Sequence, residues 1–437
     1  MTYEPIIGLE VHVELATKSK MFCGCPADHF GKEQNTQTCP VCLAMPGGLP
    51  VANKKAIEWT VLLGLALGCE IPLESKFDRK HYFYPDLPKG YQISQYDQPL
   101  CINGTLKGIR IRRVHLEEDT GKLQHLDDMT LVDFNRSGVP LVEIVTEPDF
   151  RNVDDADAFV KKLQQIIRYL DISGADMEKG SMRLEPSVSV RARTMETIKS
   201  RPDPDLPGYR VEIKNINSFR FMRKAIEYEI ERQTEMLERG EVPIQQTRGF
   251  VESKGITAAQ RDKEEAHDYR YFPDPDIPPM RWRTSQISEF RTQIPELPDQ
   301  KKGRFMKDYS LSDYDATLLT ETRERAEYFE RVIRLRSSVI RPKIIANMII
   351  NKKIDIQSVS PEELVAQLTQ SSKQGAMDES QLVKIIQTVL TANQKAVEDY
   401  KGGKEQAFMF LFGLAMRQLK GKGDPKQIQE VLKRSLQ

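Results

Sequence analysis

Residues near the start of the chain alternate between apolar and ionisable types. Residues 6–15 read Ile-Ile-Gly-Leu-Glu-Val-His-Val-Glu-Leu, and a period of two is typical of a β-strand, whose successive side chains point to opposite faces. Glu10, His12 and Glu14 therefore share one face of this strand. A carboxylate, an imidazole and a second carboxylate in one row could bind a hard divalent cation, although an ordinary surface strand can show the same alternation.

Four cysteines follow in two close pairs with thirteen residues between the pairs: Cys23, Cys25, Cys39 and Cys42. Two short pairs of thiols are the usual pattern of a structural zinc site, in which each pair bends the backbone around one ion. Four thiolates complete a tetrahedral shell, so they leave no position for a catalytic water. The pattern predicts a zinc ion with a structural role.

Composition limits the class of protein but not its partner. The chain has 437 residues, enough for more than one domain, and its 64 basic residues balance 64 acidic ones. Binding to a polyanion would therefore need local basic patches. The first residues lack the features of a signal peptide, and no apolar run reaches the ~20 residues that cross a bilayer. We expect a cytoplasmic protein, in which paired cysteines favour metal over disulfides.

The periodicity of the chain changes near residue 290. Before that point, strand-like runs at 109–114, 141–145, 188–190 and 211–213 accompany an amphipathic helix predicted for 154–170. Six prolines between 273 and 298 disfavour regular structure there. Beyond them the sequence is helical, with a nearly all-apolar helix predicted to be buried at 407–419 and a last helix beginning at Asp424-Pro425.

Six ordered blocks in the first 290 residues resemble the B subunit of the bacterial aspartyl/glutamyl-tRNA amidotransferase, the GatB family. They are the sequences at 7–15 (IGLEVHVEL), 76–86 (KFDRKHYFYPD), 91–95 (YQISQ), 115–122 (HLEEDTGK), 135–145 (NRSGVPLVEIV) and 268–276 (DYRYFPDPD). The resemblance continues more weakly to the C-terminus. It implies an α+β fold: a mixed cradle domain on a β-sheet at 1–290 with a zinc-binding insertion at 23–42, a helical connector at 291–398, and a basic helical tail at 399–437. The connector is shorter than the family pattern predicts.

The resemblance also implies a function. Members of this family phosphorylate the side-chain carboxylate of glutamate on tRNA(Gln), or of aspartate on tRNA(Asn), with ATP and Mg²⁺, and ammonia then gives the amide. The ammonia is expected from a partner amidase A subunit, and a small C subunit is expected to complete a heterotrimer. No G-x₄-G-K-[ST] loop occurs in the chain, so the ATP site depends on the resemblance alone. The sequence leaves open which of the two tRNAs is used.

Matching positions give the expected site residues. The resemblance assigns magnesium to Glu10, His12, Glu118 and Glu143, and places Lys80 and Glu118 where an ammonia passage meets that site. Carboxylates gathered in this way repel one another unless a cation neutralises them, which favours a metal and a nearby lysine. Glu185 and Ser187 replace the acidic and amide residues of a family motif and are left out of the site.

The C-terminal segment carries the local charge that RNA binding requires. Residues 401–437 have eight basic and three acidic side chains, and such faces bind phosphates in a salt-dependent way. The candidate RNA-binding residues are Lys420, Lys422, Lys426, Lys433 and Arg434. A solvated helix face explains the same charges. The alternative function is a non-catalytic, zinc-containing RNA-binding subunit, which would leave the Glu, His and Lys set unexplained.

Overall fold

The computed structural model describes residues 2–193, 206–260, 269–338, 340–351, 353–375, 379–419 and 425–436. The chain forms two compact units that divide after Pro298. The first unit contains the strands and three long helices, and the second contains helices only among its described residues. The α+β class is therefore confirmed, while the three-part division at 290 and 398 stays a prediction.

The first unit is built on an eight-stranded sheet in the order β13-β12-β11-β10-β1-β9-β6-β5. Its strands are β1 (Thr2–Glu14), β5 (Cys101–Leu106), β6 (Ile109–Glu118), β9 (Pro140–Thr146), β10 (Met182–Arg193), β11 (Val211–Lys214), β12 (Gln246–Val251) and β13 (Ile256–Ala259). Neighbouring strands are antiparallel except β11 and β12, which run parallel. The strands predicted from the sequence all occur.

Short strands accompany this sheet. They are β2 (Glu74–Ser75), β3 (Asp78–His81), β4 (Tyr91–Ser94), β7 (Lys122–His125), β8 (Thr130–Asp133), β14 (Phe272–Pro273) and β15 (Met280–Arg281). The order β14-β3-β4 forms a small second sheet. It brings the tyrosine-rich segment before β14 close to β3, which carries Lys80.

One face of the large sheet is apolar and forms the core. Val11 and Val13 of β1 are buried, and they join one cluster with residues of three helices, α1 (Lys54–Ala66), α2 (Val153–Tyr169) and α3 (Phe219–Glu238). Each helix begins at an Asn or Ser whose side chain accepts a backbone N–H of the first turn, the usual N-cap. The predicted helix at 154–170 is confirmed with a shift of one residue.

The remaining described helices are α4 (Thr284–Gln293), α5 (Pro298–Tyr309), α6 (Asp313–Leu319), α7 (Arg323–Leu335), α8 (Pro342–Ile350), α9 (Pro361–Gly375), α10 (Glu379–Ala392), α11 (Gln394–Lys401), α12 (Glu405–Gln418) and α13 (Pro425–Leu436). The second unit has two apolar clusters, one between Phe305 and Leu364 and one between Leu382 and Leu436.

The helix predicted to be buried at 407–419 differs from that prediction. In α12 only Leu411 and Ala415 are buried, whereas Met409 and Phe410 are 59% and 56% exposed. A short α-helix with partners on one side can bury only one stripe of its surface. Among the described helices, none combines the length and the apolar character that a bilayer crossing needs.

Candidate active site and metal centres

The second face of the large sheet carries a row of ionisable side chains. His12 of β1 lies opposite Glu143 of β9, and Glu143 lies opposite His115 of β6. Since neighbouring strands are ~4.8 Å apart, this register places three ionisable groups side by side. The backbone pairing thus fixes the centre of the row, with Glu117 two residues farther along β6 on the same face.

The side chains of this row are in close contact. His115 Nε2 is 3.1 Å from Glu143 Oε2, and His12 Nε2 is 3.6 Å from the same oxygen. His12 Nε2 is also 3.9 Å from Glu117 Oε1, and the Ser94 hydroxyl donates to Glu117 at 3.0 Å. One ligand atom from each of His12, Glu117 and Glu143 lies within 4.8 Å of the others. This set offers two carboxylates and one imidazole to a single cation.

The electrostatics of the cluster favour a bound positive charge. Burial disfavours the charged form of His12, but the hydrogen bond and charge of Glu143 outweigh it and raise the pKa of His12 to about 9. Burial would raise the pKa of Glu143, yet His115 and His12 hold that pKa well below its usual value. The same negative field would favour a metal ion in place of the His12 proton, because an imidazole binds a metal only through a deprotonated nitrogen.

Lys80 of β3 lies beside this cluster. Its Nζ is 4.9 Å from the ring centre of Tyr269 and 5.7 Å from that of Tyr82, distances suitable for cation–π attraction. Burial lowers the pKa of Lys80, but the charges of Glu117, Tyr271 and Glu143 outweigh this and raise it. Lys80 is therefore within electrostatic reach of the acidic cluster, and Glu117 is the carboxylate that raises its pKa most.

Glu118 does not join the cluster. Its carboxylate accepts from Lys89 Nζ at 2.8 Å and from the backbone N–H of Ile93 at 3.0 Å, on the opposite face of β6 from Glu117. The physical reason is strand alternation, which turns consecutive side chains to opposite faces. The structure thus differs from the expectation for Glu118, and Glu117 stands in the expected place. The sequence signal is the alternation within β6. Apolar Val114 and Leu116 occupy one face of the strand, so His115 and Glu117 lie on the other, polar face.

Glu10 lies in an adjacent acidic group on the same face. It lies opposite Glu185 of β10 in the strand register. Burial is the largest cause that raises the pKa of Glu10 to about 7, and the charges of Glu143 and Glu185 add to it. Lys214 of β11 contacts Glu185 at 3.2 Å and Glu212 at 3.0 Å. Sequence reasoning left Glu185 out and did not consider Lys214 or Glu212, because the register of β10 and β11 is not visible in the sequence.

The four cysteines are brought together as the spacing predicts. Their sulfur atoms all lie within 4.8 Å of one another, and the Sγ atoms of Cys39 and Cys42 are 3.8 Å apart. A tetrahedral site with Zn–S bonds of ~2.3 Å has sulfur–sulfur edges of ~3.8 Å, so the donor set fits zinc. His29, which lies between the two cysteine pairs in the sequence, contacts Glu14 at 3.0 Å.

The candidate RNA-binding residues are only partly visible. Lys420 and Lys422 lie outside the described residues, and Lys426 belongs to α13 without a described side chain. Lys433 and Arg434 are exposed in the last turn of α13. Basic residues there also stabilise a helix through its dipole, so their position fits either interpretation.

Comparison with known proteins defines the class of this fold and site. The sequence model described as the GatB/GatE catalytic domain matches residues 5–288, and that of the GatB domain matches residues 318–436. The chain is 44% identical to the aspartyl/glutamyl-tRNA(Asn/Gln) amidotransferase B subunit of Caldicellulosiruptor saccharolyticus, with both chains covered completely. The corresponding proteins of Persephonella marina and Geotalea daltonii are also 44% identical with complete coverage of both chains. The chain therefore belongs to the family of aspartyl/glutamyl-tRNA amidotransferase B subunits.

The alignments with these relatives include positions that this chain lacks. The alignment with the protein of Caldicellulosiruptor saccharolyticus spans 496 positions against 437 residues here. At least 496 − 437 = 59 positions of that alignment therefore have no counterpart in this chain.

Proposed function

We propose that this chain is the B subunit of a cytoplasmic, heterotrimeric amidotransferase that uses ATP to convert Glu-tRNA(Gln), Asp-tRNA(Asn) or both to the amidated forms. The observation that carries this proposal is the cluster of His12, Glu117 and Glu143 beside Lys80. Membership of the family supports the class of reaction, and the cluster is where we propose that the reaction takes place. Ammonia comes from glutamine through a partner amidase subunit, and a small third subunit completes the complex.

The chemistry requires activation of a carboxylate. A carboxylate is a poor electrophile, so ATP first transfers a phosphoryl group to its oxygen and releases ADP. Ammonia then attacks the acyl carbon, and the bond between this carbon and the phosphate oxygen breaks. The products are the amide, phosphate and a proton. The side chains of His12, Glu117 and Glu143 would hold Mg²⁺, which when bound would neutralise phosphate charge during transfer. Hard cations prefer such carboxylate oxygens.

Lys80 has a separate role in this scheme. Its ammonium lies near two tyrosine rings, and the charge of Glu117 helps it to keep its proton despite burial. We place it where ammonia reaches the activated carbon. Glu10 and Glu185 form a second acidic pair on the same sheet face, and we retain Glu10 as a candidate for magnesium together with Glu185. Glu118, bound to Lys89, positions the end of β6 and does not contact the cation.

We propose separate sites for zinc and for RNA. We propose that Cys23, Cys25, Cys39 and Cys42 bind structural zinc, because their spacing and sulfur distances fit one tetrahedral ion. We also propose that the basic C-terminal residues bind tRNA, which the local charge excess of residues 401–437 supports.

The test uses the complex assembled with its partner subunits. Glu143→Gln retains the size of the side chain but removes a charge that both histidines contact. We expect loss of tRNA-dependent phosphorylation and amidation by ~10²-fold or more, as for removal of a major electrostatic group, with glutamine hydrolysis by the partner retained. Glu147→Gln is the matched control, since Glu147 lies just beyond β9, pairs with Arg112 at 2.8 Å and is 25% exposed. Normal amidation by Glu143→Gln would reject the proposed site.

A further inference from the structure

A fully buried lysine lies beside the four-cysteine cluster. The side chain of Lys20 has 0% exposure. Its Nζ donates to the carbonyl oxygen of Phe134 at 3.2 Å and contacts Cys42 Sγ at 3.8 Å. Among the described residues, no carboxylate oxygen lies within 4.0 Å of this ammonium. A buried charge without a partner is strongly destabilising, so Lys20 needs a negative charge from another source.

A carboxylate close to Lys20, that of Glu118, already has a partner. Gly138, whose φ of +85° suits glycine, lies where Lys20, Cys42 and Glu118 meet: a Cβ atom there would be 3.6, 3.7 and 3.9 Å from their nearest atoms. Glu118 is paired with Lys89 at 2.8 Å, and the two side chains are 3% and 11% exposed. One positive charge therefore remains, and the cysteine sulfurs are the neighbouring groups that can balance it.

We infer that Lys20 is the counter-charge of the metal centre formed by the four cysteines. Four thiolates with one divalent ion carry a net charge of −2, and Lys20 neutralises part of it in a place that water does not reach. The inference rests on the proposed zinc site and goes beyond it, since it assigns an ionic role to a residue that is not a ligand. Metal binding and burial of Lys20 then stabilise each other.

The same contact couples the metal centre to the sheet. Lys20 holds the carbonyl of Phe134, and the Met21 N–H donates to the carbonyl of Gly138 at 2.6 Å. Residues 134–138 lead directly into β9, which carries Glu143. A metal ion that keeps Lys20 buried therefore also keeps this connection in place, which makes Lys20 a positioning residue.

Zinc affinity tests the inference directly. Lys20→Met retains the length of the side chain without the charge, and Lys18→Met changes an exposed lysine two residues away. In competition with a chromophoric chelator, we expect Lys20→Met to bind zinc ~10-fold or more weakly, as for loss of other groups that support metal ligands. Lys18→Met should match the unaltered protein. Equal zinc affinity in all three proteins would overturn the inference.

Thermal unfolding with and without metal separates charge balance from packing. Zinc removal takes away the metal centre that Lys20 balances, so the fall in Tm on zinc removal should be larger for the unaltered protein than for Lys20→Met. An equal fall in Tm on zinc removal in both proteins would show that Lys20 only fills space, and would also reject the inference.

A second variant covers a failure of Lys20→Met to fold. Lys20→Gln retains a donor for the Phe134 carbonyl, and its zinc affinity should also fall if the charge is what matters. Unchanged affinity there would contradict the ionic role. Zinc content of the unaltered protein, measured first, distinguishes failure of the inference from failure of the zinc site itself.

Discussion

Two consecutive glutamates on β6 allow a matched test of the active-site geometry. Glu117 faces the cluster of His12 and Glu143, whereas Glu118 faces Lys89. Replacing each in turn by glutamine changes the same charge at neighbouring positions. We expect opposite consequences, because the proposal assigns one carboxylate to the reaction and the other to the fold.

The Glu118→Gln variant should mainly lose stability. It leaves the ammonium of Lys89, which is 11% exposed, without its carboxylate partner. Breaking a buried ion pair from one side costs about 3–5 kcal/mol. At ~2 °C per kcal/mol for a large domain, Tm should fall by about 6–10 °C. Below that temperature, phosphorylation by the assembled complex should stay within a few-fold of normal.

The Glu117→Gln variant should mainly lose activity. The amide can still accept the hydrogen bond of Ser94, and Lys80 retains the charge of Glu143 and its tyrosine rings, so we expect less destabilisation than for Glu118→Gln. The proposed Mg²⁺ would lose one negative charge that no neighbouring group replaces. We therefore expect tRNA-dependent phosphorylation to fall by ~10²-fold. Thermal unfolding of the chain and phosphorylation by the complex measure the two effects. A fully active Glu117→Gln, or an inactive Glu118→Gln with normal Tm, would refute the assignment.

Four other perturbations have definite expected outcomes. The folded, cation-free protein raises the pKa of Glu10 from 4.5 to about 7, so between these pH values it binds a proton that the unfolded chain releases. The free energy of unfolding therefore falls as pH rises from 4.5 to about 7. Glu10→Gln should remove this part of the pH dependence, measured by urea unfolding. Lys80→Ala should uncouple glutamine hydrolysis from amide formation, seen as glutamate released in excess over amidated tRNA. Cys39→Ser should abolish tight zinc binding and reduce the yield of folded protein, and a normal zinc content by elemental analysis would contradict it. Deletion of residues 424–437 should weaken tRNA binding and reduce its salt dependence, while an unchanged affinity across a salt series would show that the tail is only solvated surface.

Local sequence patterns were sufficient for five strands of the large sheet, for the helix at 153–169 and for the cysteine cluster. The alternation in β1 predicted its polar face, and the spacing of Cys39 and Cys42 predicted their contact, because both depend on residues close in the chain. The partners of Glu10 could not be predicted in the same way. Its neighbour Glu185 lies 175 residues away, and their pairing depends on strand register, which long-range packing determines.

The choice between Glu117 and Glu118 shows a different limit. Alternation within β6 contains the information, since buried Leu116 assigns the opposite face to Glu117. The match to a family motif pointed to Glu118, one position away, which a strand turns to the other side of the sheet. α12 shows the reverse case, in which composition suggested complete burial although the helix has neighbours along only one stripe.

The position of β1 has a consequence for synthesis of the chain. This strand is made first but lies between β9 and β10, and Leu9 pairs with Pro186. At ~5–20 residues per second, the ribosome needs on the order of 10–35 s to make the second partner. Until β9 and then β10 are made, the nascent segment exposes a strand with one apolar face and unpaired edges, which is a template for aggregation. We therefore expect chaperones to protect the strand that carries His12 until its partners have left the ribosome.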